Sequence, residues 1–218
     1  MKKALALILC VILMFSISAC AGEADIRGEQ TEVVSGEEKD FELGQTAGLN
    51  YENTFVGIGF NLESGWSFYT DEQIRELNNQ TMEIGSKEYK EVMENADVVF
   101  DVQAVSADGT SNINVVLEKA SALALATFDF KTTYEKTVSV VKESFENMGF
   151  TDYTYEFVDL EIDGKAVTGV KNIASASGVS MYQKQFAVKC NGYIATITVT
   201  SMNKDITDDI LKTIYWTD

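Results

Sequence analysis

The feature that most constrains the fold is a run of extended segments, residues 152–201, divided by residue pairs that favour tight turns. The turn signals are Asp163-Gly164, Ser177-Gly178 and Asn191-Gly192. Asp-Gly and Asn-Gly pairs favour two-residue hairpin turns because both central residues of such a turn need a positive φ. The run therefore predicts consecutive antiparallel strands, at residues 152–161, 165–174, 180–190 and 193–201.

The last of these segments alternates between two sets of residues. The sets are Ile194, Thr196, Thr198 and Thr200 on one side and Ala195, Ile197 and Val199 on the other. Antiparallel strands commonly bury one face and leave the other in water. We therefore expect the threonine side of this sheet to be solvated.

Further strands and one long helix are predicted before this run. Alternating apolar residues indicate strands at 56–62, 98–102 and 113–117, and a short extended stretch at 66–68. The long helix is indicated by an apolar stripe at spacings of three and four, namely Tyr134, Val138, Val141, Phe145 and Met148. Thr132 is the predicted cap at its start, and Gly149 suits its end.

Shorter helices are predicted on both sides of the long one. Thr70 and Gln73 have the spacing of a capping box and open a short helix. A looser helical stretch covers residues 86–95, and Asp205 can cap a final helix that bears Ile206, Ile210 and Ile214. The pattern predicts an α+β fold with a central, mostly antiparallel sheet of about six strands flanked by helices.

The first twenty residues have the composition of an export signal. Lys2 and Lys3 precede an apolar run that is too short to span a bilayer comfortably. The sequence Ile17-Ser18-Ala19-Cys20 resembles the lipobox of bacterial lipoproteins, in which the cysteine receives a diacylglycerol and the chain is cut just before it. The alternative is ordinary secretion with cleavage near Ala19 or Ala21.

The chain divides into three regions. Residues 1–19 are the predicted lipoprotein signal peptide, residues 20–49 a lipidated cysteine and disordered acidic linker, and residues 50–218 a single α+β domain. Removal of residues 1–19 deletes two basic and no acidic residues, which changes the net charge from −17 to −19. A protein with this negative charge repels nucleic acid, and we therefore expect no nucleic-acid partner.

The domain resembles a known family in the order and spacing of several motifs. These are the opening Asn53-Thr54-Phe55-Val56-Gly57-Ile58-Gly59-Phe60, the Gly65-Trp66 pair, a long helix ending at Gly149, the Asp163-Gly164 turn and the Tyr182-Gln183 strand. Together they resemble small lipoproteins with a PsbP/Mog1-like fold over roughly residues 50–218. The resemblance implies an α/β/α sandwich used for binding or assembly; Ser64, where family members often carry proline, is a departure from it.

Several kinds of chemistry lack their usual residues. The chain has no histidine, which removes the commonest general base and the commonest metal ligand. Cys190 is the only cysteine left beyond Cys20, and we interpret it as a buried apolar side chain rather than a reactive thiol. Carboxylate pairs at 71–72, 159 with 161, and 208–209 are interpreted as solvated surface charge. No cofactor is expected.

Aromatic side chains are the remaining candidates for a binding surface. The candidate ligand-binding residues are Trp66, Tyr69, Tyr153, Tyr155 and Tyr182. Tyrosine and tryptophan are enriched at binding surfaces. The alternative is that these side chains belong to the core. This alternative is favoured for one strand, because Tyr153, Tyr155 and Phe157 share one apolar side of it.

Location and function follow from these observations as expectations. We expect a lipoprotein anchored to the cell membrane through Cys20, on the extracytoplasmic side, that holds an envelope protein or a small ligand without catalysis. The alternative is a glycan hydrolase that uses two carboxylates, since such enzymes need no histidine. A two-lobed solute-binding protein is disfavoured because two lobes rarely fit within about 170 residues.

Overall fold

The structure is a computed structural model that describes residues 41–70, 72–76 and 98–217. The predicted signal peptide, Cys20, Asp71, Leu77 and the helical stretch at 86–95 lie outside the described residues. The strands are β1 Gln45–Ala47, β2 Asn50–Asn53, β3 Ile58–Asn61, β4 Trp66–Phe68, β5 Val98–Ser106, β6 Ser111–Lys119, β7 Asp152–Ile162, β8 Lys165–Ala176, β9 Val179–Cys190, β10 Tyr193–Met202 and β11 Ile214–Trp216. The helices are α1 at residues 72–76, α2 Ala122–Thr127, α3 Phe130–Asn147 and α4 Thr207–Leu211.

The described strands form two sheets. The larger has seven strands in the order β4-β5-β6-β10-β9-β8-β7, and the smaller has four in the order β1-β2-β3-β11. Every pairing in both sheets is antiparallel. The α+β class predicted from the sequence is confirmed, with one strand more than expected in the central sheet.

The consecutive hairpins of the large sheet follow the predicted turn signals. Asp163 and Gly164 have φ of 47° and 74°, and Asn191 and Gly192 have φ of 34° and 87°. These are the left-handed conformations that two-residue hairpin turns need and that asparagine, aspartate and glycine tolerate. The predicted meander β7-β8-β9-β10 is therefore confirmed.

Three local predictions need correction. Strand β3 begins at Ile58 rather than Val56, because residues 54–57 form a turn. The cap of α3 is Asp129, whose Oδ1 accepts from Thr132 N–H at 2.9 Å, so Thr132 lies inside the helix. The final helix α4 ends at Leu211, and Ile214 instead begins β11, where it pairs with Phe60.

The capping box before α1 is confirmed. Thr70 N–H donates to Gln73 Oε1 at 2.8 Å, and Gln73 N–H donates to Thr70 Oγ1 at 3.3 Å. These reciprocal bonds satisfy two backbone donors at the helix start.

Residues 41–49, predicted as part of a disordered linker, include strand β1. Strand β1 pairs with β2. Gly44 N–H donates to Asp101 Oδ1 at 2.7 Å, and the Tyr51 hydroxyl donates to Asp101 Oδ2. Asp101 therefore connects the small sheet to β5 of the large one, and the folded region begins before the predicted boundary.

One face of the large sheet forms the main apolar core against the small sheet and α4. Its inward side chains include Val102, Ala104, Ile113, Val115, Leu117, Phe186, Ala195, Ile197 and Val199. They meet Tyr51, Ile58 and Phe60 of the small sheet and Ile210 and Leu211 of α4.

The opposite face of the large sheet carries α3, which packs on β7 and β8. Phe145 of α3, Val170 of β8 and Met181 of β9 are buried together in a second apolar cluster. The threonine row of β10 also lies on this face, since Thr198 pairs with Asn114 and Gln185 in register. Thr196 is 5% exposed and Thr198 and Thr200 are fully buried, so the expectation that this side is solvated is wrong.

Candidate functional site

A row of buried polar side chains crosses the helix-bearing face of the large sheet; we call it the polar belt. The polar belt consists of Gln103, Asn112, Asn114, Asn172, Gln183, Gln185, Thr196, Thr198 and Thr200. Each of these residues is 5% exposed or less. They come from β5, β6, β10, β9 and β8, so the belt crosses five neighbouring strands.

Cross-strand register brings the belt residues into hydrogen-bonding distance. Asn172 Nδ2 donates to Gln183 Oε1 at 3.3 Å, and Gln183 Nε2 donates to Thr200 Oγ1 at 3.3 Å. One pair further along the strands, Gln185 Nε2 donates to Thr198 Oγ1 at 3.0 Å. The amide and hydroxyl groups of three strands therefore stabilise one another across the face.

Asn114 lies near the middle of the polar belt and differs from these residues. It is 1% exposed, and neither of its amide atoms has a hydrogen-bond partner within the described part of the chain. In register it faces Gln103 on β5 and Thr198 on β10. A buried polar group without a partner costs about 1–3 kcal/mol, so Asn114 requires an explanation in terms of function or bound solvent.

An aromatic group borders the polar belt where the sheet ends at β7; we call it the aromatic edge. It consists of Tyr134 on α3 and Tyr153, Tyr155 and Phe157 on β7. The Tyr155 ring lies 5.3 Å from the Tyr134 ring and 5.8 Å from the Phe157 ring, between centroids. Tyr155 is 38% exposed, so this edge presents an aromatic surface to solvent.

Two tyrosine hydroxyls connect the aromatic edge to the polar belt. The Tyr134 and Tyr153 hydroxyl oxygens lie 2.5 Å and 2.9 Å from Asn172 Oδ1, and 2.7 Å from each other. Burial raises the pKa of both phenols above the ordinary value, so both keep their protons at neutral pH. The Asn172 oxygen therefore accepts from neutral donors.

The chemistry of the belt and edge is uncharged. The belt residues offer amide and hydroxyl groups that donate and accept, and the edge offers aromatic faces. The Lys131 ammonium, 5.6 Å from the Phe157 ring centroid, lies beside the edge. Because a buried charge needs a partner of opposite charge, this arrangement suits a neutral ligand better than an ionic one.

The structure divides the five aromatic residues predicted to bind a ligand. Tyr153 and Tyr155 lie in the aromatic edge, and Tyr69 N–H donates to Gln103 O at 2.8 Å, beside the other end of the polar belt. Trp66 and Tyr182 lie on the opposite face, since they pair with Ser106 and with Ser201 and Ile173. The five residues therefore do not line one groove.

The residues of the polar belt form a recognisable sequence pattern, but the pattern was interpreted as a solvated face. Asparagine, glutamine and threonine recur at alternate positions in β6, β9 and β10, which is also the pattern of a solvated face. Periodicity identifies residues that share a face but does not show whether that face is covered.

The carboxylates considered for catalysis or metal binding have other partners or positions. Asp208 pairs with Lys184 at 2.6 Å, and Asp209 pairs with Lys212 at 2.9 Å. Among the described residues, no group of three or more acidic or cysteine side chains is arranged to hold a metal. None of the nine belt residues is acidic.

Cys190 is buried at the end of β9, as interpreted from the sequence. Desolvation raises the pKa of its thiol to about 12, while the bond from Ala195 N–H opposes that shift. Because the thiolate is the reactive form, Cys190 is inert at neutral pH.

No protein-family model matches the chain, and no curated protein matches it. Among solved structures, the chain is similar to LpqN of Mycobacterium tuberculosis, a protein involved in cell envelope biogenesis. The identity is 11% over 74% of this chain and 83% of LpqN, with a TM-score of 0.39. It is also similar to PA94 of Pseudomonas aeruginosa, a protein of unknown function, at 11% identity over 49% of this chain and 68% of that one, with a TM-score of 0.29.

At these identities and scores, function has to be inferred from the residues of this chain. None of the helices within the described residues is long and apolar enough to cross a bilayer.

Proposed function

We propose that this protein is a membrane-anchored lipoprotein of the bacterial envelope that binds a neutral, polar ligand without catalysis. The anchor is Cys20, supported by the basic, apolar and small-residue pattern that precedes it. The binding site is the polar belt together with the aromatic edge. PsbP/Mog1 kinship stays a prediction.

The observation that carries the binding role is the buried Asn114 amide. Its two atoms can donate to and accept from the same ligand, which is how an asparagine recognises a hydroxyl or amide group. A ligand that satisfies both atoms recovers the free energy that their burial costs. This site therefore has a physical reason to be occupied.

The aromatic edge narrows the class of ligand. Exposed aromatic rings such as that of Tyr155 pack against apolar C–H faces, while the belt supplies donors and acceptors. A molecule with hydroxyl or amide groups on one side and C–H groups on the other matches the chemistry of both. Neutral saccharides of the cell envelope have this chemistry.

The test is calorimetry and thermal unfolding of the lipidated protein in detergent, with tetra-N-acetylchitotetraose as the neutral probe. We expect saturable binding and a raised unfolding midpoint. Tyr155→Ala should weaken binding about tenfold, the scale of one lost aromatic contact. The control is Tyr182→Ala, which removes a tyrosine from the opposite face and should leave binding unchanged.

Three outcomes would contradict the proposal. A neutral saccharide that produces neither heat nor stabilisation excludes this ligand class. Equal losses from Tyr155→Ala and Tyr182→Ala exclude the aromatic edge as the site. Cleavage of the probe during the measurement, seen by mass spectrometry, would show a hydrolase instead of a binding module.

A further inference from the structure

The strand register places several turns together at one end of the molecule, which we call the tether end. The tether end is built from the turn at Asp163-Gly164, the turn at Asn191-Gly192 and the end of β6. Tyr193 pairs with both Cys190 and Lys119, which brings the second turn beside the end of β6. The turn at residues 107–110 joins β5 and β6 at the other end, about 27 Å away over the nine residues of β6.

The chain that leads from Cys20 joins the folded domain at the tether end. The Phe41 ring stacks on the Tyr193 ring at 4.9 Å and contacts the Phe55 ring at 5.4 Å, between centroids. Asn191 Nδ2 donates to Phe55 O at 3.2 Å, which fixes this aromatic group to the hairpin turn. Only residues 21–40 separate Cys20 from Phe41.

The tether end also carries an apolar helix with no buried residue. Helix α2 has the sequence Ala-Leu-Ala-Leu-Ala-Thr, and none of its six residues is buried. Leu123 is 70% exposed. Ala120 N–H donates to Gly192 O at 2.8 Å and so holds the start of α2 against the Asn191-Gly192 turn.

Two of the four exposed large apolar side chains of the described residues, Phe41 and Leu123, lie here, and Leu43 follows Phe41 by two residues. Phe41 is 41% exposed, Leu43 is 52% exposed and Leu123 is 70% exposed. The fourth such residue, Tyr155, belongs to the aromatic edge. Phe41 and Leu123 belong to segments held against the same hairpin, so the tether end presents apolar side chains to solvent.

Basic and aromatic groups also lie at the tether end. Lys189 Nζ donates to Leu125 O at 3.4 Å, and Lys165 Nζ lies 5.0 Å from the Trp216 ring centroid. Asp163, which accepts from Trp216 N–H at 3.3 Å, is the acidic group in this contact. Lysine and tryptophan beside apolar side chains are typical of surfaces that rest in the headgroup region of a bilayer.

We propose that the tether end rests on the lipid bilayer, with Leu123 of α2 and Phe41 in contact with lipid. The inference rests on the proposed lipid anchor at Cys20, because that anchor would hold this end close to the surface. A lipid chain and a weak apolar contact joined by a short segment reinforce each other through effective concentration. Six helical residues are far fewer than the roughly 20–30 residues that each partner contributes to a stable protein interface, which favours lipid over a second copy.

The test places a fluorophore at each end of the lipidated protein. Leu123→Cys labels the tether end, and Ala107→Cys labels an exposed residue of the opposite turn as the matched control. Cys190 does not compete for the label, because it is buried and its thiol has a pKa of about 12. The proteins are reconstituted into phosphatidylcholine vesicles with or without brominated acyl chains.

We expect brominated lipid to quench the label at residue 123 at least twice as strongly as the label at residue 107. Leu123→Asp, with the label moved to Ala126→Cys, should reduce quenching of the tether end to the control level. Two results would overturn the proposed bilayer contact without affecting the proposed anchor. One is equal quenching at both ends, and the other is no quenching at either end of a protein that floats with the vesicles. A spectral change at residue 123 that depends on protein density and not on bromination would indicate a second copy instead.

The proposed anchor fails in a distinguishable way. If the protein with intact Cys20 carries no diacylglycerol by mass spectrometry, the proposed function is wrong whatever the labels report.

Discussion

Asn114 and Asn172 lie on the same buried face of the sheet, but their hydrogen bonding differs. Asn172 contacts Tyr134, Tyr153 and Gln183, whereas Asn114 has no partner within the described part of the chain. The two residues are equally buried, at 1% exposed each. Substituting each residue therefore measures two different contributions to the free energy of unfolding. Asn114 reports the cost of an unsatisfied amide, and Asn172 reports the benefit of a satisfied one.

Asn114→Leu should raise the free energy of unfolding by about 1 kcal/mol or more, because leucine removes the unsatisfied amide at similar volume. The same substitution should abolish stabilisation by the neutral saccharide. Urea unfolding with and without the saccharide measures both effects. A destabilised Asn114→Leu protein would show that the amide is already satisfied.

Asn172→Leu is the matched control and should lower the free energy of unfolding by about 2–3 kcal/mol. It removes the buried oxygen that accepts from the Tyr134 and Tyr153 hydroxyls, and it removes the amide that donates to Gln183 Oε1. Urea unfolding of this variant beside Asn114→Leu gives opposite signs if the contacts are as described.

Stability at alkaline pH should depend on the buried thiol of Cys190. Its pKa is about 12 in the folded protein and about 9 when exposed, so the unfolded chain loses the proton first. The stabilising contribution is therefore complete below pH 9 and is lost as the pH rises toward 12. The raised pKa values of Tyr51 and Tyr134 add to this loss above their ordinary value of 10.0.

Cys190→Ala should remove the first part of that loss. We expect its unfolding midpoint to be flat between pH 8.5 and 9.5, where the midpoint of the unsubstituted protein begins to fall. Guanidinium unfolding at closely spaced pH values measures the difference. Parallel curves for the two proteins would contradict the burial of an un-ionised thiol.

At the scale of elements, the start of α3 shows how local signals can be misassigned. Thr132 was the cap predicted from the sequence, and Asp129, three positions earlier, is also a residue type that caps helices well. In the structure Asp129 accepts from Thr132 N–H and the helix begins at Phe130. The Phe130 ring contacts the Tyr134 ring in this added turn, at 6.3 Å between centroids.

Asp129→Ala should therefore lower the thermal unfolding midpoint, because it leaves a helix-terminal N–H without its acceptor. Thr132→Ala should have a much smaller effect and is the control. Circular dichroism melts of both variants decide between the two caps. A larger loss from Thr132→Ala would restore the cap predicted from the sequence.

Elements defined by local rules were predictable, and those defined by distant contacts were not. The hairpins of β7 to β10 follow from turn residues with positive φ, which act locally. Ile214 fits the apolar spacing of a continued helix, but its pairing with Phe60, far away in sequence, makes it a strand residue. The ordering of Phe41 likewise depends on Tyr193, which no local pattern reveals.

The candidate site was predictable only in part for the same reason. Tyr153 and Tyr155 were correctly placed on one side of β7, because alternation fixes that within a strand. Tyr182 lies on the other face. This could not be predicted, because it depends on the register of two further hairpins. The polar belt was assigned to a solvated surface because alternation alone does not report burial.

At the scale of the whole molecule, the proposed anchor at Cys20 would determine where the domain works. Cys20→Ala should release the protein from the membrane fraction while leaving its fold intact, because Cys20 precedes the first described residue, Phe41, by about twenty residues in the sequence. Flotation of vesicles and immunoblotting of fractions measure the release. Full membrane retention of this variant, with no change in the processed length, would exclude lipidation at Cys20.

The attachment of Phe41 and β1 also has a mechanical consequence. Tension on the chain before Phe41 acts first on the Phe41 ring contacts and the bond from Gly44 N–H to Asp101, and then on β1. Strand β1 is only three residues long and pairs only with β2 among the described strands. In this hairpin geometry the load breaks the pairs from Gln45 one after another rather than all together. Release of residues 41–49 would lengthen the chain between Cys20 and the domain by about 30 Å. Pulling would therefore detach β1 and extend the chain between Cys20 and the domain before the force reaches the core between the two sheets.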